Sequence, residues 1–203
     1  RVLFRSTAYV ALRFEGENVP AIQALDVERN GGDLNASRVI YCGTFSKTLT
    51  PGLRIGWVCA AEPIVRRLTL IKQASDLNSS LINQMVMERL AAETYDAHVE
   101  KAAAHYRARR DAMLAALQAH MPAGVTWTQP EGGMFVWVTL PEGMDGATLL
   151  ERSLAQEKVA FVPGAAFFPD GSGRNTIRLN FSSPTEAMIA DGLARLGRLI
   201  AAG

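Results

Sequence analysis

The amino-acid sequence predicts an α/β fold joined to a smaller α+β domain at the C-terminal end. In the first half, short runs of β-branched and aromatic residues alternate with helical patterns, which is typical of a parallel sheet covered by helices. In the second half, strand patterns near 125–128 and 134–140 flank a Pro-Glu-Gly-Gly turn. A long alanine- and arginine-rich helical pattern over about 97–120 joins the halves, so we place the domain boundary between residues 96 and 97.

The first half contains one uncertain and two clear strand patterns. Residues 7–14 are a strand or the exit from one, and a polar loop follows with a short helix around 22–25. The apolar runs 38–42 and 55–60 predict buried strands. A helix is predicted to start at Glu62-Pro63, since proline is tolerated in a first turn. Two further helical patterns cover about 79–95 and 97–120.

The second half alternates strands and helices. Strands are predicted at 125–128, 134–140, 159–162 and 177–181. One helix is expected over 146–157. The sequence Ser183-Pro184-Thr185-Glu186 has the form of a capping box with proline at the first helical position, so a final helix starts here. Its predicted apolar face consists of Met188, Ile189, Leu193, Leu196 and Ile200.

Composition excludes several classes of protein. The chain has 203 residues, of which 48% are hydrophobic and 20% charged, with a formal net charge of +1. A charge so close to zero gives no field that attracts nucleic acid or an anionic membrane. No apolar run reaches the ~18 residues that a membrane span needs. We therefore expect a cytoplasmic protein that binds neither nucleic acid nor membrane.

Cysteine and histidine do not indicate a disulfide framework or a metal site. Cys42 and Cys59 lie in apolar runs and are interpreted as free thiols of a reducing compartment. His98, His105 and His120 lie in or beside one helical segment without a cluster of further ligands at metal spacing, so we predict no bound metal.

The stretch between the two predicted strands of the first half contains two isolated cations. A lysine in a half-buried loop loses hydration, which favours its neutral, nucleophilic form, and Lys47 is suited to form an imine with an aldehyde. Arg54 always carries its charge and matches a phosphate. Hydroxyl groups nearby, those of Thr44 and Ser46 among them, are candidate phosphate donors. One ligand satisfies all of these groups, pyridoxal 5′-phosphate (PLP). The alternative is a solvated surface loop.

Four segments in the same order carry a family resemblance. They are GTFSKTLTPGLRIGW (43–57), PEGGMFVWVTLPEG (130–143), VPGAAFF (162–168) and NTIRLNFSS (175–183). Together they resemble the fold-type I PLP-dependent aminotransferases of class I/II, most closely the 2-aminoadipate, kynurenine and aromatic branch. The resemblance runs from about Thr7 to the end. It implies that residues 1–96 are part of the large, cofactor-binding domain and that residues 97–203 are the linking helix and small domain.

The resemblance implies a role for each cofactor-binding residue. Lys47 is similar to the lysine that bonds covalently to the cofactor and later moves the substrate proton. Arg54 and Thr44 resemble the phosphate-binding groups, with Ser46 assisting. Tyr9 resembles the tyrosine whose hydroxyl binds the phenolic oxygen of the cofactor. The alternative interpretation of Tyr9 is an ordinary strand tyrosine.

The resemblance also implies a substrate site and an assembly. Arg178 is similar to the arginine that binds the substrate α-carboxylate, although a surface cation on an edge strand is the alternative. The implied reaction transfers an amino group from an L-amino acid to a 2-oxo acid, with 2-oxoglutarate as the expected acceptor. Members of the group are homodimers, and we expect the same here.

One position departs from the family pattern. The family has an acidic residue three positions before the tyrosine, and this sequence has Ser6 there. Either the enzyme is impaired or residues 1–6 are an unrelated junction, and the abrupt onset near Thr7 favours the junction. We therefore expect a truncated chain that lacks the first half of the family fold, aggregates when expressed alone and is inactive in that form.

Two other functions stay open at this point. The same motifs occur in aminotransferase-like effector domains of winged-helix transcription regulators (the GntR/MocR type), whose DNA-binding module precedes this region. A carbon–sulfur lyase or a decarboxylase on the same scaffold is a third possibility, because the fold alone does not set the reaction type.

Overall fold

The computed structural model describes residues 2–203. The chain divides into two compact units, Arg1–Ala103 and Ala104–Gly203. The strands are β1 (Leu3–Ser6), β2 (Val39–Thr44), β3 (Gly56–Cys59), β4 (Thr126–Trp127), β5 (Phe135–Thr139), β6 (Val162–Pro163) and β7 (Thr176–Asn180). The helices are α1 (Ile22–Arg29), α2 (Glu62–Ser75), α3 (Leu81–His120), α4 (Gly146–Arg152) and α5 (Glu186–Ala201). The α/β class is confirmed, whereas the domain boundary between residues 96 and 97 stays a prediction.

The first unit contains a three-stranded sheet in the order β1-β2-β3. Strand β2 has no exposed residue and half of its residues are buried, and β1 runs parallel to it. Strand β3 is antiparallel to β2 and largely exposed, so the prediction of a buried, parallel-type strand at 55–60 is wrong. The reason is the connection, because the loop between Thr44 and Gly56 is shorter than the crossover of a dozen or more residues that a parallel return needs.

Helix α1 is fixed to this sheet by a buried side chain. The Nε2 atom of Gln23 donates to the carbonyl of Val39 at 2.8 Å and to the carbonyl of Cys59 at 2.7 Å. These two acceptors lie at the start of β2 and at the end of β3, so one amide bridges both strands. Burying a polar group without partners is costly, and here the same bonds satisfy the amide and set the sheet edge against the helix.

The first strand lies earlier than the sequence suggests. Residues 3–6 form β1, whereas residues 8–11 form a turn, so 7–14 is the exit from a strand rather than a strand. The amide of Thr7 still donates to the carbonyl of Cys42 at 3.1 Å, which continues the parallel pairing by one bond. The side chains of β1 are all exposed, so its pairing depends on backbone groups alone.

Two predicted helices are a single one. Helix α3 runs continuously from Leu81 to His120 over 40 residues, where the sequence patterns suggest separate helices over 79–95 and 97–120. Neither glycine nor proline occurs between these two residues, so nothing in the backbone interrupts the helix. The prediction for α2 is confirmed, with Pro63 in the first turn.

The second unit contains a four-stranded antiparallel sheet in the order β4-β5-β7-β6. One face of the central pair is buried and carries Val136, Val138, Ile177 and Leu179. The prediction of a strand at 159–162 is wrong for most of its length. After α4, a π-helical turn covers Ser153–Glu157, and its Ser153 hydroxyl donates to the carbonyl of Val159 at 2.7 Å. That carbonyl is engaged by the turn, and pairing starts only at Val162.

The final helix begins two residues later than its predicted cap. Thr185, not Ser183, is the N-cap of α5, and its hydroxyl accepts a bond from the amide of Met188 at 3.3 Å. Most of the predicted apolar face is buried, but Met188 lies in the first turn and is 62% exposed.

Acid should weaken the second unit through Asp145, the N-cap of α4. Its carboxylate accepts bonds from the amides of Ala147 and Thr148 and pairs with Arg174 at 2.8 Å. The hydrogen bond from the Thr148 amide, and then the bond from the Arg174 side chain, lower the pKa of Asp145 below its ordinary value. A lowered pKa in the folded state stabilises the fold above the unfolded-state value, near pH 4, and that stabilisation is lost as pH falls through the folded value.

The Asp145→Asn variant tests this contribution, since asparagine keeps a capping oxygen but removes the charge. We expect the variant to unfold at a lower urea concentration than the parent at pH 7, and the difference to shrink as the pH falls from 5 to 3, since about pH 4 is where an aspartate titrates. Glu151→Gln, which removes a negative charge from an exposed position of the same helix, is the control and should unfold at the same urea concentration as the parent at pH 7. A difference that stays constant with pH would contradict the assignment.

The first unit exposes several large apolar side chains. They lie in the second half of α2, the linker after it and the first turns of α3, and include Leu70, Ile71, Leu77, Leu81, Ile82 and Met85, each more than 60% exposed. Exposed apolar surface of this kind favours association. We expect the isolated 203-residue chain to elute in size-exclusion chromatography as aggregates, and a sharp monomer peak would contradict this expectation.

Candidate active site

A tight turn after β2 carries Lys47. Three consecutive amides donate to the carbonyl of Phe45, those of Thr48, Leu49 and Thr50, at 3.3, 2.9 and 3.1 Å. The amide of Phe45 donates to the carbonyl of Ile55 at 3.3 Å, which closes the base of the loop where β3 begins. The ring of Phe45 packs at 4.7 Å from that of Trp57. These contacts fix the backbone on both sides of Lys47.

Lys47 itself is half-buried. Among residues 2–203, its amine has no hydrogen-bond or ion-pair partner. A lysine that is partly removed from water and lacks an acidic partner is suited to act as a nucleophile. The half burial also counts against the alternative of a solvated surface lysine.

Two hydroxyl groups meet at the entrance to the turn. The Oγ1 atom of Thr44 and the Oγ atom of Ser46 lie 3.0 Å apart, and the amide of Ser46 donates to Thr44 Oγ1 at 3.1 Å. Thr44 Oγ1 also donates to the carbonyl of Ile55 at 3.1 Å. The two side chains thus form a small, half-buried polar group one or three residues before Lys47.

Arg54 lies at the other end of the loop. Its side chain is exposed, although it lies in an apolar run of the sequence. Its Nη1 atom donates to the carbonyl of Pro51 at 3.3 Å, and within the described part of the chain it has no carboxylate partner. Its φ of 56° lies in the left-handed region, where non-glycine residues are uncommon. Most of its donors therefore stay available for an anion.

The hydroxyl of Thr48, next to Lys47, is buried and has no hydrogen-bond partner among the described residues. A buried hydroxyl without a partner is destabilising, and an isosteric apolar side chain removes that cost. We expect Thr48→Val to raise the free energy of unfolding by about 1 kcal/mol. The matched control is Thr44→Val, which breaks bonds to Ser46 and Ile55 and should lower the free energy of unfolding. Urea unfolding measures both, and a destabilised Thr48→Val variant would show that the hydroxyl has a partner after all.

Tyr9 lies at the same edge of the first sheet as Lys47. Both residues follow the carboxyl ends of β1 and β2, which are adjacent parallel strands. The turn that holds Tyr9 is closed by the amide of Leu12, which donates to the Tyr9 carbonyl at 2.9 Å. The carboxyl edge of parallel strands is where α/β folds bind ligands. The topology thus brings Tyr9 to the edge that carries the lysine loop, and Tyr9 is not within a strand.

Arg178 lies in an interior strand of the sheet of the second unit. Strand β7, which carries it, lies between β5 and β6, so the alternative of an edge-strand cation is wrong. Its guanidinium carbon lies 4.1 Å from the centre of the Phe135 ring and 4.5 Å from that of Phe167. The Nε atom is buried and has no hydrogen-bond partner within residues 2–203. Two aromatic rings therefore hold the guanidinium, and one of its donors is left unused by the described residues.

The chain has several close relatives among known proteins. The sequence profile of the family described as "Aminotransferase class I and II" matches residues 2–196. The chain belongs to the class I and II aminotransferase family. Motif resemblance alone predicts this family, and the prediction is confirmed.

Individual aminotransferases of the family match at high identity. The chain is 45% identical over 200 residues to the aromatic-amino-acid aminotransferase 1 of Thermococcus litoralis, covering 98% of this chain and 46% of the relative. It is 39% identical over 199 residues to the 2-aminoadipate transaminase of Thermus thermophilus, covering 98% and 49%. The crystal structure of a multiple substrate aminotransferase from Thermococcus profundus matches with a TM-score of 0.90 at 44% identity, over 99% of this chain and 48% of that chain. The chain thus spans about half the length of these aminotransferases.

The family match reaches further towards the N-terminus than the motifs do. It begins at residue 2, earlier than the onset near Thr7 that the motifs indicate. Residues 3–6 pair with β2 through backbone groups while their side chains are exposed, so this pairing does not depend on which side chains they carry. The unrelated origin of residues 1–6 stays a prediction. Ser6 ends β1 opposite Cys42 and supplies no negative charge.

Sequence reasoning missed two arginines of helix α3. The charge of the Arg107–Arg110 run predicts a solvated helix face for these residues, yet Arg110 is only 5% exposed. Its Nη1 atom donates to the carbonyl of Pro130 at 2.8 Å, and the neighbouring Arg109 donates to the carbonyl of Ser182. A signal existed, because Arg110 has helical spacing to Met113 and Leu117, both of which are buried.

The described residues contain neither a metal-ligand cluster nor a helix suited to a membrane. Within residues 2–203, no group of three or more histidine, cysteine, aspartate or glutamate side chains is arranged to hold a metal ion. None of the helices in the same range combines the length and the apolar composition that crossing a membrane requires.

Proposed function

We propose that this aminotransferase-family chain contributes the lysine loop and the carboxylate-binding arginine of an enzyme that transfers an amino group from an L-amino acid to a 2-oxo acid, with 2-oxoglutarate as the acceptor. The observation that carries the proposal is the half-buried amine of Lys47, which has no partner among the described residues and lies beside the Thr44–Ser46 hydroxyl pair. The relatives named for aromatic amino acids and for 2-aminoadipate favour a donor from these classes.

The residues of the first unit fit PLP as the cofactor. An aldehyde requires an amine that is free to bond with it, and Lys47 meets this requirement. A phosphate requires hydroxyl donors and a cation with unused N–H groups, which Thr44, Ser46 and Arg54 offer on one loop. The cofactor, when bound, supplies an electron-withdrawing ring that makes the Cα–H bond of an amino acid acidic.

The protein side chains then have separate tasks. Thr44, Ser46 and Arg54 would hold the phosphate of the cofactor, and the hydroxyl of Tyr9 would donate to its phenolic oxygen. The amine of Lys47 would remove the proton from the substrate Cα as a general base and, as the resulting ammonium, would deliver it to C4′ of the cofactor. Arg178 binds the α-carboxylate through its planar guanidinium, which fixes the orientation of the Cα–H bond.

A two-step turnover measurement on the natural protein that carries these residues tests the proposal. With PLP present, L-2-aminoadipate, kynurenine, phenylalanine and leucine are each offered as the only donor, and the 2-oxo acid released is measured. Addition of 2-oxoglutarate should then yield glutamate and restore the absorbance of the cofactor. Release of a 2-oxo acid without glutamate formation, or no release from any donor, would contradict transamination to 2-oxoglutarate.

The regulator alternative also has an observation in its favour. An uncharacterized HTH-type transcriptional regulator of Bacillus subtilis is 32% identical over 91% of this chain and 36% of its own length. This match is weaker than those to the aminotransferases. The turnover measurement separates the two functions, because an effector domain that binds PLP but releases no 2-oxo acid fits the regulator.

The proposal also includes an oligomeric state and a cellular location. The family resemblance implies a homodimer, and the composition of the chain is the basis for proposing a cytoplasmic location. The near-neutral net charge of +1 gives no reason to expect nucleic acid or membrane as a partner of these residues. Light scattering on the natural protein measures the mass, and a monomer that is fully active would contradict the dimer.

A further inference from the structure

Two successive arginines of α3 hold the two chain segments that frame Arg178. Arg110 donates to the carbonyl of Pro130, which begins the turn leading into β5, at 2.8 Å. Arg109 donates to the carbonyl of Ser182, two residues after the end of β7. Because β5 and β7 are antiparallel, the start of β5 and the end of β7 lie at the same edge of the sheet. Two neighbouring residues of α3 therefore bind the backbone beside both strands at that end of the sheet.

The hydrogen bond from Arg110 to Pro130 is connected to Arg178 through a short series of contacts. Four residues after Pro130 comes Met134, whose carbonyl accepts a bond from the amide of Phe181 at 3.1 Å. The next residue is Phe135, whose ring covers the guanidinium of Arg178 at 4.1 Å. Within this turn Gly133 has a φ of 83°, a conformation that favours glycine, and Arg110 is the side chain that binds the carbonyl at the start of the turn. The turn that Arg110 holds at Pro130 therefore leads directly into the strand end that carries Phe135, whose other side is paired with Asn180 of β7.

Arg110 is an unusual choice for a purely structural helix residue. Its side chain is only 6% exposed, and its charge is met by Asp111, whose Oδ1 atom lies 2.7 Å from Nη2. Burying a guanidinium is costly unless its N–H groups are satisfied, so its geometry is set by its acceptors. A long apolar residue would fill the same space at lower cost, but it would leave the Pro130 carbonyl without this donor.

We propose that Arg110 is a positioning residue for substrate binding, which holds the Pro130–Gly133 turn so that Phe135 orients the Arg178 guanidinium towards the substrate α-carboxylate. The inference rests on the proposed function for the identity of the ligand, a 2-oxo or 2-amino carboxylate. Arg109 holds the opposite strand end in the same way. Misplacing a binding group by about 1 Å is enough to change rates by up to about 100-fold, so a backbone anchor of this kind is consequential.

The test uses Arg110→Met in the natural protein with PLP bound. We expect the KM for the best amino-acid donor to rise roughly ten-fold while kcat changes little, because the carboxylate contact is weakened in the ground state as well as in the transition state. The matching amine without a carboxylate, such as 2-phenylethylamine for phenylalanine, should react as it does in the parent. Arg110→Lys, which keeps one donor, should show a smaller rise in KM.

Two controls separate positioning from general destabilisation. Ile189→Val removes a methyl group from the core of the same unit, and Arg198→Met removes an exposed arginine 3.8 Å from Glu157, and neither should change the KM. If Ile189→Val raises the KM as much as Arg110→Met does, or if the amine and the amino acid are affected equally, Arg110 has only a structural role and the proposal is overturned.

A binding measurement keeps the proposal testable without turnover. Calorimetry should show that Arg110→Met binds 2-oxoglutarate roughly ten-fold more weakly than the parent. Amide hydrogen exchange should be faster at Phe181, whose bond to Met134 depends on the same turn. Unchanged 2-oxoglutarate affinity overturns the inference. A parent that binds 2-oxoglutarate with this dependence on Arg110 but turns over no donor overturns the proposed function instead.

Discussion

Replacing Lys47 by alanine should reduce transamination by at least about 1,000-fold, because the change removes both the covalent attachment of the cofactor and the base that moves the substrate proton. Lys47 is the half-buried amine of the β2–β3 loop, and it has no partner among the described residues whose loss would disturb the fold. The free energy of unfolding should therefore stay close to that of the parent. The rate of 2-oxo acid release and urea unfolding measure the two effects separately.

The matched control for this variant is Lys72→Ala. Lys72 lies on α2 and pairs with Asp76 at 2.8 Å in an exposed i, i+4 ion pair, which contributes little to stability. It should leave both the rate and the visible absorbance of the PLP-loaded protein unchanged. Residual turnover above a few per cent in Lys47→Ala, or loss of the PLP absorbance in Lys72→Ala, would contradict the assignment of the cofactor lysine.

Replacing Arg178 by methionine should lower kcat/KM for amino acids by about 100- to 1,000-fold, the effect of removing one partner of a desolvated charge pair. Methionine keeps the contacts with the Phe135 and Phe167 rings while it removes the guanidinium. The loss should appear with every donor that carries an α-carboxylate. Steady-state kinetics with the best donor measures the effect.

The control for the Arg178→Met variant is a second substrate that lacks the α-carboxylate. An amine without a carboxylate should react with Arg178→Met as fast as it reacts with the parent, since the missing contact is not available to it. Arg178→Lys should recover only part of the loss, because an ammonium does not bind a carboxylate in the bidentate geometry of a guanidinium. Equal losses for the amine and the amino acid would place Arg178 in the support of the fold rather than in substrate binding.

Local pattern predicted most of the elements but not how they pair. The runs around β2, β5 and β7 are strongly apolar and β-branched, and the ends of these strands lie within two residues of where the sequence places them. The direction and burial of β3 were not predictable from its own residues, because a strand that is apolar on both faces gives no periodic signal. The continuous helix α3 was divided in two by pattern, although no residue in it breaks a helix.

For the candidate site, too, the sequence predicted some features and not others. The residue types of the lysine loop indicate the ligand chemistry on their own, because an amine, hydroxyls and a guanidinium within a dozen residues suit an aldehyde that bears a phosphate. Local sequence does not indicate that Arg54 is exposed or that the Thr48 hydroxyl has no partner among the described residues. The exposure of Arg54 and the lack of a partner for Thr48 both depend on the path of the loop between β2 and β3, which short-range sequence patterns do not describe.

The sequence by itself determined the α/β class and the family and singled out the candidate residues for the chemistry, because these depend on residue type and on spacing along the chain. Only the tertiary structure decided what surrounds them. It places Tyr9 and Lys47 at one sheet edge, encloses Arg178 between two aromatic rings, and makes Arg110 a buried support of the turn beside it. Such roles arise from contacts between residues far apart in sequence, and the burial that assigns them is a property of the whole fold.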